Sequence, residues 1–500
     1  MATVREAAAR LRGGSGRAPS WMILALACTG QFMVVLDISV VNVALPSIHR
    51  DLGFSTAGLQ WVVNAYTLTF AGFLLLGGRA GDLFGRRRIF LLGLGVFSLA
   101  SLVGGFATSQ TMLVAARAAQ GLGGAILAPS TLAILTTAFT EPRERARAMG
   151  TWAGVAGAGG AVGNLLSGII TQELTWRWVL FINVPIGAVV LVAGYAVLSE
   201  SRGRERRGLD LPGAFLVTAG LCALVYGVVR TDAVGWASRD TVLALALAVL
   251  LLVAFVVHEA RIAAAPIMPL RLFGSRSVSS ANLAMLAVAA ALFPMWYFLS
   301  LYCQEVRDLS PIVTGLLFAP LSLSVVAGSQ VTVRLVGRLG TRRLVIAGPL
   351  LMAVGLAVLS RIGVTREPLT VVILAGAVAA FGIGVALTPI TLAATSGIRG
   401  GEAGLASGLV NTSRQVGASL GLAALATVAT SRSDSLLARP GPHPAGAALS
   451  AGFGLAFAVA AGIAVLAALI AVALPRRASD AQVIAVEAHD EATLATELGA

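Results

Sequence analysis

Asp37 stands alone as an acidic residue deep within an apolar stretch, in LDISVVNVALP (Leu36 to Pro46). A carboxylate there loses its hydration, which favours the protonated form and lets the group carry a proton that it would lose in water. A structural acid held by hydrogen bonds is the alternative. Arg117 is a second charge inside an apolar run. It opens a helical face, since Arg117, Gln120, Gly121, Gly124 and Ala128 follow the i, i+3, i+4, i+7, i+11 spacing. At about 1.5 Å rise per residue, Asp37 lies roughly 13 Å and Arg117 roughly 8 Å below the outer end of its run, so their depths are similar. The expectation is that they interact, directly or through water or Gln120. Arg117 would then hold the carboxylate ionised in one conformation and release it in another. Pairing of Arg117 with carbonyls or water alone is the competing reading.

Further candidates are weaker. In the run near 403 to 428, Asn411, Arg414, Gln415 and Ala418 share one face, offering polar groups to a cavity or to packing between helices. The segment GRAGDLFGRRR (Gly78 to Arg88) places Gly78, Gly81 and Gly85 where tight turns and close backbone approach are possible. There Asp82, with Arg86 nearby, can hold a helix end or an arginine of an opposite bundle as a conformational latch. Its arginines also serve as a charged anchor. In GTWAGVAGAGGAVGNLLSG (Gly150 to Gly168), Gly157 and Asn164 suit close helix contact. The glycines at 157, 159 and 163 do not have the G-x-G-x-x-G spacing of a dinucleotide loop. Trp296 and Tyr297, just after Pro294, are candidates for lining a cavity. Cys28, Cys222, Cys303 and the four histidines are scattered, so no metal site is expected. The chain has no lysine, which excludes a Walker A loop and any ATPase of its own.

The elements that must position these groups are membrane helices. Of the 500 residues 57% are apolar and 12% charged, against about 25% charged in soluble proteins, which excludes a soluble enzyme. Fourteen apolar runs can be counted, each near the roughly 20 residues a spanning helix needs. They lie near 21–46, 58–78, 88–108, 112–136, 149–171, 178–198, 212–230, 240–258, 278–302, 311–333, 344–362, 369–392, 403–428 and 451–474. The first run is too long for a signal peptide and reads as a retained span. With the amino terminus inside, 25 of the 36 arginines fall on inner segments and nine on outer loops, as the positive-inside rule requires. The net charge of +13 therefore reports orientation. No segment is large enough to fold as a basic soluble patch, so nucleic acid is not an expected partner.

The two halves repeat at an offset near 256 to 260. Gly81, Leu83, Arg86 and Arg87 recur as Gly337, Leu339, Arg342 and Arg343, Pro129 as Pro389, and Ala148, Gly150, Gly159 and Gly163 as Ala406, Gly408, Gly417 and Gly421. Six spans account for about 190 residues, so two more are inserted between the halves. The fold expected is all-α and polytopic, with fourteen transmembrane helices: a cytoplasmic tail at 1–20, a six-helix bundle at 21–198, a linker with two extra spans at 199–277, a second six-helix bundle at 278–474 and a cytoplasmic tail at 475–500. Two parallel repeats suit a rocking transporter with its site between them near the midplane.

These segments together resemble the fourteen-span drug/proton antiporter branch of the major facilitator superfamily. LDISVVNVALP resembles its span 1 signature, GRAGDLFGRRR its loop 2-3 motif, ARAAQGLGGAILAP its span 4 motif, WRWVLFINVPIG its span 6 entry, and SGLVNTSRQVGASLG its span 13 signature. The chain departs from that pattern at Leu83, where an arginine is usual, at Gly160 and Asn164, which take the two proline positions of span 5, and at Arg338, which replaces the loop aspartate in the second half. The resemblance implies export of hydrophobic, often cationic drugs or antibiotics against inward proton flow, with Asp37 as protonation site and Arg117 as its coupling partner. The partners it implies are a small hydrophobic substrate, protons and the bilayer. No cofactor is expected beyond the proton gradient, and the protein is expected to act as a monomer in a bacterial cytoplasmic membrane with both termini inside. Uptake or facilitated diffusion of a small metabolite is the alternative, followed by a membrane receptor or enzyme, for which no catalytic cluster or sensing domain is visible.

Overall fold

A computed structural model of the chain describes residues 19–201, 210–264, 266–268, 270–363, 368–396, 403–438 and 444–475. Residues 1–18 and 476–500 of the expected cytoplasmic tails, and the charged stretch at 202–209, lie outside the described residues.

Fourteen long helices make up the described chain. They are α1 (Ser20–Leu52), α2 (Trp61–Phe84), α3 (Arg86–Gly105), α4 (Gln110–Ala138), α5 (Pro142–Glu173), α6 (Asn183–Val197), α7 (Leu211–Val234), α8 (Arg239–Arg261), α9 (Arg276–Leu301), α10 (Pro311–Leu339), α11 (Thr341–Leu359), α12 (Leu369–Thr395), α13 (Ala403–Leu437) and α14 (Ala445–Ala471). Their starts follow capping chemistry. The hydroxyls of Ser109, Ser238 and Ser310 accept from the backbone N–H groups of Met112, Thr241 and Val313, satisfying donors that a first helical turn leaves open. Pro46, Pro129, Pro294, Pro320, Pro349 and Pro389 lie inside helices, as membrane helices tolerate where neighbours satisfy the freed carbonyls.

Among the described residues, twelve helical segments are long and apolar enough to cross a membrane. The two long helices outside that set are α5, with 32 residues, and α13, with 35. At about 1.5 Å per residue even the shorter one is about 48 Å long. Both include residues outside the described ones, and α13 carries Asn411, Arg414 and Gln415.

Packing repeats between the halves. α1 lies on α5, α2 on α4, α3 on α4 and α3 on α6, just as α9 lies on α13, α10 on α12, α11 on α12 and α11 on α14. The principal seams across the two sets are α5 against α10 and α2 against α13. The pair α7 and α8 adheres to the outside of the second seam, α7 touching both α2 and α13. Small residues set the closest approaches. A Cβ on Gly121 of α4 would stand 2.3 Å from the Tyr66 carbonyl oxygen of α2, so only glycine allows these backbones to meet.

Candidate functional site

Asp37 is fully buried in the middle of α1, and Arg117 of α4 is 2% exposed. The Arg117 Nη1 donates to Asp37 Oδ2 at 2.6 Å and to Gln120 Oε1 at 2.7 Å. Gln120 Nε2 donates to Asp37 Oδ1 at 2.6 Å, and Asn183 Nδ2 of α6 donates to the same oxygen at 3.1 Å. Ser101 of α3 closes the network, accepting from Gln120 and Asn183 and donating to the Leu180 carbonyl at 2.8 Å. All three groups around the carboxylate are donors, the set that an ionised, acceptor-only carboxylate takes. Arg117 also donates from Nε to the Val62 carbonyl at 3.1 Å, and its guanidinium lies 4.5 Å from the centre of the Tyr66 ring. The arginine therefore bridges α1, α2 and α4.

Between the two sets of helices lies a cavity of about 2060 Å³. Its walls include Val34 and Ile38 of α1, Phe70 and Leu74 of α2, Trp152 of α5, Val326 of α10, and Asn411, Arg414 and Gln415 of α13. It extends to the helix ends at Asp82, Arg86 and Arg271. Asp37 is not on its wall, although Ile38 is. At the opposite end α1 is joined to α9 and to the π-helical turn that continues it (Tyr302–Val306): Ser300 Oγ donates to the Asn42 carbonyl at 2.7 Å, Gln304 Nε2 to the Val43 carbonyl at 2.8 Å, and His49 Nδ1 lies 2.9 Å from Glu305 Oε1.

The remaining sequence candidates take these places. Gly78, Asp82 and Arg86 line the cavity. Asp82 pairs with Arg86 of its own loop at 2.8 Å, and Arg86 also bonds the Thr137 hydroxyl. Gly85 joins α2 to α3 at φ 109°, a conformation that suits glycine. Asn164 is buried on the α5–α10 seam, its Nδ2 3.4 Å from Ser322 Oγ. Trp296 does not line the cavity; it packs edge to face on Phe318 of α10 with ring centres 5.2 Å apart. Gly157 belongs to α5, and its surroundings fall outside the described residues.

Sequence reasoning missed Asn183, Ser101 and Tyr66. Asn183 was discoverable as the one polar residue between Trp178 and Tyr195. Also missed was a cluster carried by the extra helix pair, where His258 Nε2 lies 2.7 Å from Asp210 Oδ1 and Glu259 accepts from the Ile267 and Met268 N–H groups. Burial pushes the Asp210 carboxyl up, but the Gly213 N–H, His258 and Glu259 outweigh it and hold the group below its ordinary value.

A buried ion pair beside a large cavity between two repeated sets of helices suits a transporter, and comparison with known proteins agrees. The Major Facilitator Superfamily profile matches residues 27–422. A cephamycin export protein of Amycolatopsis lactamdurans is 46% identical over 455 residues, covering 90% of this chain and 91% of that protein. A puromycin resistance protein of Streptomyces alboniger is 41% identical over 458 residues, covering 90% of each. In fold, a bacterial homologue of the human lysosomal transporter Spinster, solved in an inward-facing, unoccupied conformation, superposes with a TM-score of 0.62 at 17% identity over 91% of this chain and 97% of that one.

Proposed function

Because the chain belongs to the major facilitator superfamily and is a multi-pass membrane transporter rather than an enzyme, we propose that it exports hydrophobic antibiotics across a bacterial cytoplasmic membrane in exchange for protons. The relatives' export and resistance names supply the cargo. In this reading α5 and α13 also span the bilayer, giving fourteen spans in two rocking six-helix bundles with α7 and α8 attached. The arginine-rich face is cytoplasmic, both termini lie there, and the cavity opens toward it. The monomer suffices, since cavity and ion pair lie within one chain.

The observation that carries the proton coupling is the Asp37 carboxylate gripped by Arg117, Gln120 and Asn183 beside the cavity but off its wall. A proton arriving on Asp37 converts an acceptor into a donor and breaks that grip. Asp37 lies on the same helix as Asn42, Val43 and His49, which hold α9 and its π-helical turn. Loosening α1 from α4 and α6 thus reaches the seal about 7 to 18 Å further along the helix. Each charge carried across 100 mV contributes about 2.3 kcal/mol to the cycle.

The test is Asp37→Asn in everted membrane vesicles. Proton-driven accumulation of the antibiotic is expected to vanish, while exchange of antibiotic down its own gradient persists. Undiminished proton-driven accumulation would refute the assignment. Accumulation in the direction opposite to export would favour the uptake reading instead.

A further inference from the structure

We infer that the exported substrate carries an anionic head, a carboxylate or a group of like charge and shape, on an apolar body, and that Arg414 binds that head inside the cavity. The inference rests on the export reading above and narrows its substrate class.

The charged groups of the wall carry the argument. Asp82 is paired with Arg86, Asp210 is paired with His258 through Oδ1 while its Oδ2 is buried without a hydrogen-bond partner, and both oxygens of Glu259 accept backbone N–H groups. Arg79 and Arg271 also have partners. Arg414 is the exception among the cations of the wall: among the described residues it makes no hydrogen bond, ion pair or ring contact, and its Nε is buried without a partner. Beside it the Gln415 Oε1 is buried and equally unpartnered, while Asn411, one turn earlier, is occupied through Nδ2 with the Ser407 carbonyl at 3.2 Å. A guanidinium unpaired at membrane depth is costly, and a bidentate carboxylate is the partner its planar fork fits best.

The rest of the wall fits the other end of such a molecule. Phe70, Leu74, Leu75, Trp152, Val326 and Leu387 provide apolar surface within the same cavity. An ammonium head would meet Arg414 as a like charge, and Asp82, Asp210 and Glu259 each already hold a partner on at least one oxygen. The site also stands apart from Asp37, which is off the wall and bonded to Arg117. Proton and substrate therefore occupy different groups, on α1 and α13, and communicate through helix movement rather than by competing for one carboxylate.

The experiment uses the full-length chain in lipid nanodiscs with three probes that share a body and differ in head: pyrenebutyrate, its amide and pyrenebutylammonium. Binding of the carboxylate at least tenfold tighter than the amide or the ammonium is expected. Arg414→Gln is expected to abolish that preference, and Arg414→Lys to retain the order of carboxylate over ammonium at reduced affinity. Equal affinities, a preference for the ammonium, absence of binding, or an unchanged preference in Arg414→Gln would each overturn the inference. If Arg414→Gln does not fold, the wild-type order and Arg414→Lys decide. Proton-driven movement of the probes in everted vesicles tests the export reading separately: movement of the ammonium alone upholds export and refutes the anion site, whereas carboxylate binding without movement of any probe upholds the site and refutes export.

Discussion

Tyr66 lays its ring on the Arg117 guanidinium while its buried hydroxyl has no partner among the described residues, so ring and hydroxyl can be tested apart. Tyr66→Phe is expected to leave transport near wild type. Tyr66→Leu is expected to lose the cation–π contact, about 0.5 to 2 kcal/mol, and with it several-fold of the proton-driven rate in vesicles. Arg117→Lys keeps the charge but cannot reach the Val62 carbonyl, Gln120 and Asp37 together from one compact ammonium. Loss of one charge-assisted hydrogen bond costs about 1.5 to 3 kcal/mol, so about a tenfold or greater fall in transport is expected. Equal rates in Arg117→Lys and wild type would show that charge alone suffices. Asp37 and Arg117 were legible in the sequence because a charge inside an apolar run is rare. Ser101 was not, because small polar residues are common in such runs, and although Asn183 stands out in its own run, only the packing of α3 and α6 turns both toward Asp37.

At the scale of elements, the α2–α4 contact depends on glycine. Gly121→Ala would drive its Cβ into the Tyr66 carbonyl oxygen, which cannot swing aside as a flexible side chain can. The overpacking is expected to cost about 1 to 3 kcal/mol, seen as a lower unfolding temperature of the purified protein, together with slower transport because Arg117 lies on the same helix. An unchanged melting curve would show that α2 and α4 separate freely. Thirteen of the fourteen helices correspond closely to apolar runs in the sequence. The widest disagreement is at α13, which continues to Leu437 where the apolar run stops near 428. Residues such as Arg432 and Asp434 are polar enough to end a hydropathy run without ending a helix.

At the scale of the molecule, α1 and α9 with its π-helical turn close one end of the cavity through residues some 256 to 261 positions apart in sequence. With Cys28, Cys222 and Cys303 replaced, His49→Cys with Glu305→Cys is expected to arrest transport when joined by a short thiol-reactive cross-linker, and a reducible linker is expected to restore it on reduction. Continued transport by the cross-linked protein would show that this end need not open. Asp82 shows the limit of sequence reading at this scale. Its type and glycine-rich setting suggest a latch to the opposite bundle, and in this conformation its carboxylate rests on Arg86 of the same loop.

The sequence by itself determined the placement of the long helices, the repeat of the halves and the presence of two charges that water does not explain, because hydropathy, period and charge are properties of local segments. Tertiary structure alone decided which polar groups meet. It turned Asp37 away from the cavity into a cage of donors and left Arg414 on the wall with an open guanidinium. Trp296 it set against Phe318 instead of the cavity. Those outcomes depend on the rotation and close approach of helices from about twenty to several hundred residues apart, which no local pattern encodes.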